Sequence, residues 1–180
     1  MRRAQLEHLI RAAATIAEDD EIIVIGSQAI LGQFPDAPSE LCVSAEADVY
    51  PKNRVERSDL IDGSIGEGSP FHETFGYYAQ GVDETTATLP RGWRERLVPV
   101  RSAMTRGAVG LCLEVHDLLI SKLVAGREKD FTFAEVAARH GLAEDAVLRQ
   151  RLAETELDER LRVLVANRIT RAFAQRARPS

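Results

Sequence analysis

Glu21-Ile-Ile-Val-Ile25-Gly26-Ser27, followed after residues 28–45 by Glu46-Ala-Asp48-Val-Tyr-Pro51, decides how this 180-residue chain folds. The apolar run predicts a core strand over 21–26, and a Gly-Ser turn that leads a strand into a helix offers backbone N–H groups to a phosphate. Glu46 and Asp48, two residues apart on a second strand, point to one face. Two acids at this spacing are commonly just the solvent face of an edge strand. Preceded by the Gly-Ser turn, they suggest metal-assisted phosphoryl chemistry instead.

Working outward, Leu6, Leu9, Ile10, Ala13 and Ala17 recur at helical spacing and predict an amphipathic helix over about 3–17. Ser27 is expected to cap a helix from Gln28 to Gln33, and Leu41 to Tyr50 to form the second strand, closed by Pro51. Pro35 and Pro38 mark the return between them as a loop. Residues 54–65 read as helix, 63–68 as loop, and 75–82 and 110–115 as strands. The rest reads as helical. Thr132 with Glu135 makes a capping-box signature for a helix to His140, with Gly141 just beyond its end. Leu157, Leu161, Leu164, Val165, Ile169 and Phe173 form one apolar stripe on a long terminal helix, which is expected to pack on the domain. The expected fold class is α/β (α+β): a single domain with a small mixed sheet, helices on one side, a core over 1–115 and a helical C-terminal part over 116–180.

The succession of an apolar residue, Gly26, Ser27 and then Glu46-x-Asp48 resembles the core pattern of the nucleotidyltransferase superfamily, the minimal fold of polymerase-beta-like enzymes. His116-Asp-Leu-Leu-Ile-Ser-Lys122-Leu-Val-Ala-Gly126-Arg127-Glu-Lys129-Asp130 resembles the Lys-x-x-Ala-Gly-Arg-x-Lys-Asp segment of compact AbiEii/MenT-type, toxin-like members. The resemblance covers roughly residues 20–140. It implies transfer of a nucleoside monophosphate from an NTP, with Mg²⁺ held by Glu46 and Asp48. It further implies nucleotide contacts from Gly26, Ser27, Lys122 and Arg127, and a metal or base-type role for Asp130. The AbiEii/MenT likeness implies a tRNA acceptor and a toxin with a cognate antitoxin protein. A small-molecule or protein acceptor, or a noncatalytic nucleotide-binding or protein-binding module of the same fold, are the alternatives. The chain departs from the pattern in two ways. Eighteen residues separate Ser27 from Glu46, more than usual, and no third carboxylate is obvious, Asp83 and Glu114 being held in reserve.

Composition bounds the rest. With 44% hydrophobic residues the chain can bury a sizeable core, and no stretch approaches the roughly 20 apolar residues of a bilayer span. No membrane partner is expected, and without a signal-peptide pattern a cytoplasmic location is. Cys42 and Cys112 lack metal or redox spacing and read as buried strand thiols. A net charge of −5 argues against nonspecific coating of nucleic acid. Locally, however, Arg160, Arg162, Arg168, Arg171, Arg176 and Arg178 follow one another with no acid after Glu159, and Arg91, Arg94, Arg96, Arg101 and Arg106 form a second run. Either suits a phosphodiester or is an ordinary solvated face. Only three of the 23 basic residues are lysine, and two of them, Lys122 and Lys129, fall in the second motif. A surface charge network is the plain alternative there. His72 and His116 could reach a cleft, His8 and His140 read as surface or helix-end residues, and Trp93 as a packing anchor.

Overall fold

The computed structural model describes residues 1–174 and divides them into two compact units. Unit 1 comprises 1–86 and 96–114. Unit 2 comprises 87–95 and the chain from Val115 onward.

Unit 1 opens with α1 (Arg3–Ala17), whose Leu6, Leu9, Ile10, Ala13 and Ala17 are completely buried, as their spacing requires. β1 (Glu21–Val24) follows, then a 3₁₀ turn (Ser27–Ala29) that runs into the short α2 (Ile30–Gln33). β2 (Glu46–Pro51), α3 (Ser58–Ile65), α4 (Pro70–Phe75), β3 (Tyr78–Gly81), β4 (Val98–Val100) and β5 (Val109–Cys112) complete it. The five strands form one mixed sheet in the order β3-β2-β1-β5-β4. β1 is antiparallel to β2 and parallel to β5, β2 is parallel to β3, and β4 is antiparallel to β5.

Register sorts the side chains onto two faces. Val24 pairs with Val49 and Cys112, and Ile22 with Gly110, so these residues share a face. That face carries the helices. A Cβ at Gly110 would stand 2.3 Å from Ile10 Cδ1 of α1, and Gly32 of α2 lies against Cys112. At the other end of the sheet α3 packs on α1 and β3. By alternation Glu46, Asp48 and Tyr50 of β2, with Tyr78 and Gln80 of β3, occupy the opposite face.

Unit 2 is helical: α5 (Val115–Ala125), α6 (Glu128–Arg139), α7 (Asp145–Ala153) and α8 (Glu159–Ala174), with 87–95 alongside. Ion pairs tie α5 to its neighbours, Lys122 to Asp130 of α6 and Asp117 to Arg151 of α7. Arg162 of α8 donates to the carbonyls of Leu152, Thr155 and Leu157 at and beyond the C-terminus of α7. Arg168 does the same for Leu123 and Val124 at the end of α5. These guanidiniums satisfy carbonyls that a helix end otherwise leaves without intrahelical donors.

Several expected elements are revised. Residues 41–45 are not strand: a 3₁₀ turn (Ser39–Leu41) and a loop precede β2, so Cys42 is a half-buried turn thiol, while Cys112 is the buried strand thiol expected. Pro70–Phe75 is helix because Ser69 caps it, its Oγ accepting from the His72 N–H, with proline in the first turn. Strand β3 therefore starts at Tyr78. Thr132 lies inside α6, which begins at Glu128 with Asp130 turning back to the Arg127 N–H. Gly141 takes the left-handed conformation expected past that helix. On α8 the buried residues are Val165, Ile169 and Ala172, whereas Leu164 is 44% exposed. Arg176 and Arg178 lie outside the described residues. Among the described residues no helix is long and apolar enough to cross a membrane.

Candidate active site

In unit 1 the Gly-Ser turn and the acidic strand meet. β1 pairing with β2 extends one step past the strand, where the Ile25 N–H donates to the Asp48 carbonyl at 3.0 Å. The next residue is Gly26, and a Cβ built there would lie 1.7 Å from Asp48 Oδ2. Its φ of −80° and ψ of −170° are open to any residue. Glycine is required here for space, because the Asp48 carboxylate fills the volume a side chain would take. Gly26, not Ser27, occupies the cap position, and Ser27 is the half-buried first residue of the 3₁₀ turn.

Glu46, half-buried at the start of β2, is the direct register partner of Tyr78, and Asp48 that of Gln80. Tyr78 Oη donates to Glu46 Oε2 at 2.9 Å. Burial, the hydrogen bond to Glu46 and the charges of Glu46, Glu67 and Asp48 push the Tyr78 phenol up to about 12. It is therefore a hydrogen-bond donor at any ordinary pH. The His72 ring lies on Tyr78 with centroids 4.6 Å apart, and its Nδ1 accepts from the Gly68 N–H at 3.0 Å. Tyr78 and Glu67 were not singled out by the sequence reading. A strand over 75–82 placed Tyr78 and Gln80 on one face, but only the parallel register brings that face beside Glu46 and Asp48.

Among the described residues no group of three or more His, Cys, Asp or Glu is arranged to hold a metal by itself. Glu46 and Asp48, two carboxylates on one face, do fit a hard cation that keeps waters and takes further oxygens from a triphosphate, as Mg²⁺ does. Asp83 caps its own turn, accepting from the Thr85 N–H at 2.7 Å, and Glu114 closes unit 1 beyond β5.

The second motif comes together within unit 2. Gly126, with φ of +68°, ends α5 and folds α6 back, so Lys122 and Asp130 are not on one continuous helix. Lys122 Nζ reaches Asp130 Oδ1 at 3.2 Å and lies 4.5 Å over the Phe133 ring. Arg127 Nε donates to Asp130 Oδ2 at 2.7 Å. Asp130 is fully buried and Lys122 is 7% exposed. Burial pushes the Asp130 carboxyl up, but the Arg127 and Lys122 hydrogen bonds and charges outweigh it and hold the group below the usual carboxylate range. Burial lowers Lys122, against the pull of Asp130. His116 Nε2 accepts from the Glu144 N–H, and His140 closes α6 as expected. His8 is no simple surface residue: its Nδ1 lies 2.7 Å from Tyr77 Oη, among Phe71 and Phe75. Trp93 is buried, with the Arg94 guanidinium 4.8 Å over its ring.

No curated protein and no solved structure matches the chain. A family model described as "Nucleotidyltransferase of unknown function (DUF6036)" matches residues 4–160, which takes in both motifs. With most of its length so matched, the chain belongs to that nucleotidyltransferase family.

Proposed function

We propose that the protein moves a nucleoside monophosphate from an NTP to an acceptor, on the sheet face of unit 1 that carries Glu46 and Asp48. The observation that supports this most directly is the seating of the Asp48 carboxylate in the volume left open at Gly26. It puts an acidic oxygen against the turn where the family resemblance locates the phosphates. Glu46 and Asp48 would hold Mg²⁺, which neutralises charge on the triphosphate as pyrophosphate leaves. Gly26 keeps the turn backbone close to the carboxylates, and Ser27 supplies a hydroxyl on the phosphate side. The acceptor oxygen attacks the α-phosphorus as the bond to pyrophosphate breaks. Lys122, Arg127 and Asp130 enter this reading through the motif resemblance, as nucleotide-binding and reaction-supporting residues.

For the acceptor we take a tRNA 3′ end, modified by a toxin that an antitoxin protein restrains. This rests on the likeness of the 116–130 segment to AbiEii/MenT-type proteins. The test is incubation with each labelled NTP and total RNA, with and without Mg²⁺. Mg²⁺-dependent label in tRNA is expected. Label in a small molecule or protein overturns the acceptor while keeping the transfer. No label in anything, with no NTP bound, overturns the enzyme in favour of a noncatalytic module.

A further inference from the structure

Asp48 and Glu46 are positioned by different devices. Asp48 is short and lies against the Gly26 turn. Glu46 is one methylene longer and has more rotamer freedom to lose, so a precise carboxylate there needs an external restraint. The restraint is visible across the parallel ladder. Tyr78 is the register partner of Glu46, and its phenol donates to Oε2 at 2.9 Å. Tyr78 is itself held, half-buried, by the His72 ring at 4.6 Å. His72 is fixed in turn by two contacts: its own N–H donates to Ser69 Oγ at 3.2 Å, and its Nδ1 accepts from the Gly68 N–H. The capped start of α4 is thus linked through two rings to one carboxylate oxygen.

We infer that Tyr78 is a positioning residue for Glu46, fixing Oε2 so that the longer acid can serve beside Asp48 in holding a divalent cation, with His72 as its support. The inference rests on the proposed nucleotidyl transfer, since it assigns how that site is oriented. Groups that orient a metal-binding carboxylate through a hydrogen bond shift metal affinity without touching the metal.

The probe is Mn²⁺ alone, followed by water-proton relaxation, in wild type, Tyr78→Phe, Glu46→Gln and the double variant, with thermal unfolding recorded for each. Tyr78→Phe keeps the ring and removes only the donor. It is expected to weaken Mn²⁺ binding by about 10-fold or more, and to have no further effect in the Glu46→Gln background. His72→Leu, a second and independent variant, is expected to weaken binding in the same Glu46-dependent way. Unchanged affinity in Tyr78→Phe, or an equal loss in both backgrounds, overturns the positioning role alone. Absence of any Mn²⁺ binding to the folded wild type overturns the metal-dependent function and this inference with it.

Discussion

The Asp48 carboxylate occupies the position where a side chain at residue 26 would begin, 1.7 Å from an ideal Cβ on Gly26. Turn and acidic strand therefore constrain each other, and neither is free to change alone. Gly26→Ala is expected to lower unfolding free energy by about 1–3 kcal/mol, the usual range for overpacking a close contact. Its effect on transfer should be larger, because Asp48 must move. Denaturant unfolding and single-turnover transfer on the same samples check this, and an alanine variant as stable and active as wild type refutes the close approach.

Asp48→Asn keeps the size of the side chain and removes its charge. The variant should remain folded yet lose Mg²⁺-dependent transfer by at least about 10²-fold, equivalent to roughly 3 kcal/mol of transition-state stabilisation. Wild-type turnover by a folded Asp48→Asn protein removes the strand from the active site.

How far the sequence carried these conclusions depended on whether a feature was local. Helix α1 was legible because five apolar residues repeat at its own spacing, and β1 because Ile22, Ile23 and Val24 follow Glu21 without a polar break. Strand β4 was missed: three residues with Pro99 at its centre, it sits at the sheet edge, where a missing N–H is tolerated. Helix α4 was hidden because Phe75 and Tyr77 sit in an aromatic run that suggests a strand, and a six-residue helix is too short to show an apolar repeat of its own. Glu46 and Asp48 were legible as a pair. Their partners were not, since Gly26 against Asp48 and Tyr78 against Glu46 both follow from strand register, which no single segment encodes. The Lys122 to Asp130 pair depends likewise on a turn at Gly126 rather than on helical spacing.

Lys122 tests the second motif. Removing it leaves the fully buried Asp130 with Arg127 as its remaining basic partner among the hydrogen bonds described. Lys122→Ala should destabilise the protein by about 3–5 kcal/mol, as breaking a buried ion pair does. If Lys122 also grips the triphosphate, transfer measured well below the unfolding midpoint falls by about 10²-fold as well. Full turnover in the folded variant leaves Lys122 with a structural role only.

Asp19 gives a pH-dependent handle on unit 1. Burial pushes its carboxyl up, but hydrogen bonds from the Asn53 side chain and from the N–H groups of Glu21, Asn53 and Arg54 outweigh this and lower it. A carboxylate whose folded pKa lies below its unfolded one stabilises above the unfolded value, near 3.9, and loses that contribution as pH falls through the folded value. Stability should therefore decline from about pH 5 downward, and Asp19→Asn should be less stable at pH 6 by about 1–3 kcal/mol with a shallower acid decline. Equal acid slopes in the two proteins would show that Asp19 is not the group responsible.

The arginines of α8 invite reading as an RNA surface, yet two of them are committed elsewhere. Arg162 serves three carbonyls and Arg168 two, closing α7 and α5. Each is expected to cost about 1.5–3 kcal/mol of stability when changed to Ala, the range for hydrogen bonds to a charged group. Arg160, exposed in the first turn of α8, is the position to test for acceptor binding instead. If an RNA acceptor runs along this helix, Arg160→Glu should weaken RNA binding and reduce the slope of log affinity against log salt by about 1, with the unfolding midpoint unchanged. A wild-type salt slope in Arg160→Glu, alongside destabilised Arg162→Ala and Arg168→Ala, would mean that the basic face of α8 serves packing within unit 2 and that the acceptor binds elsewhere.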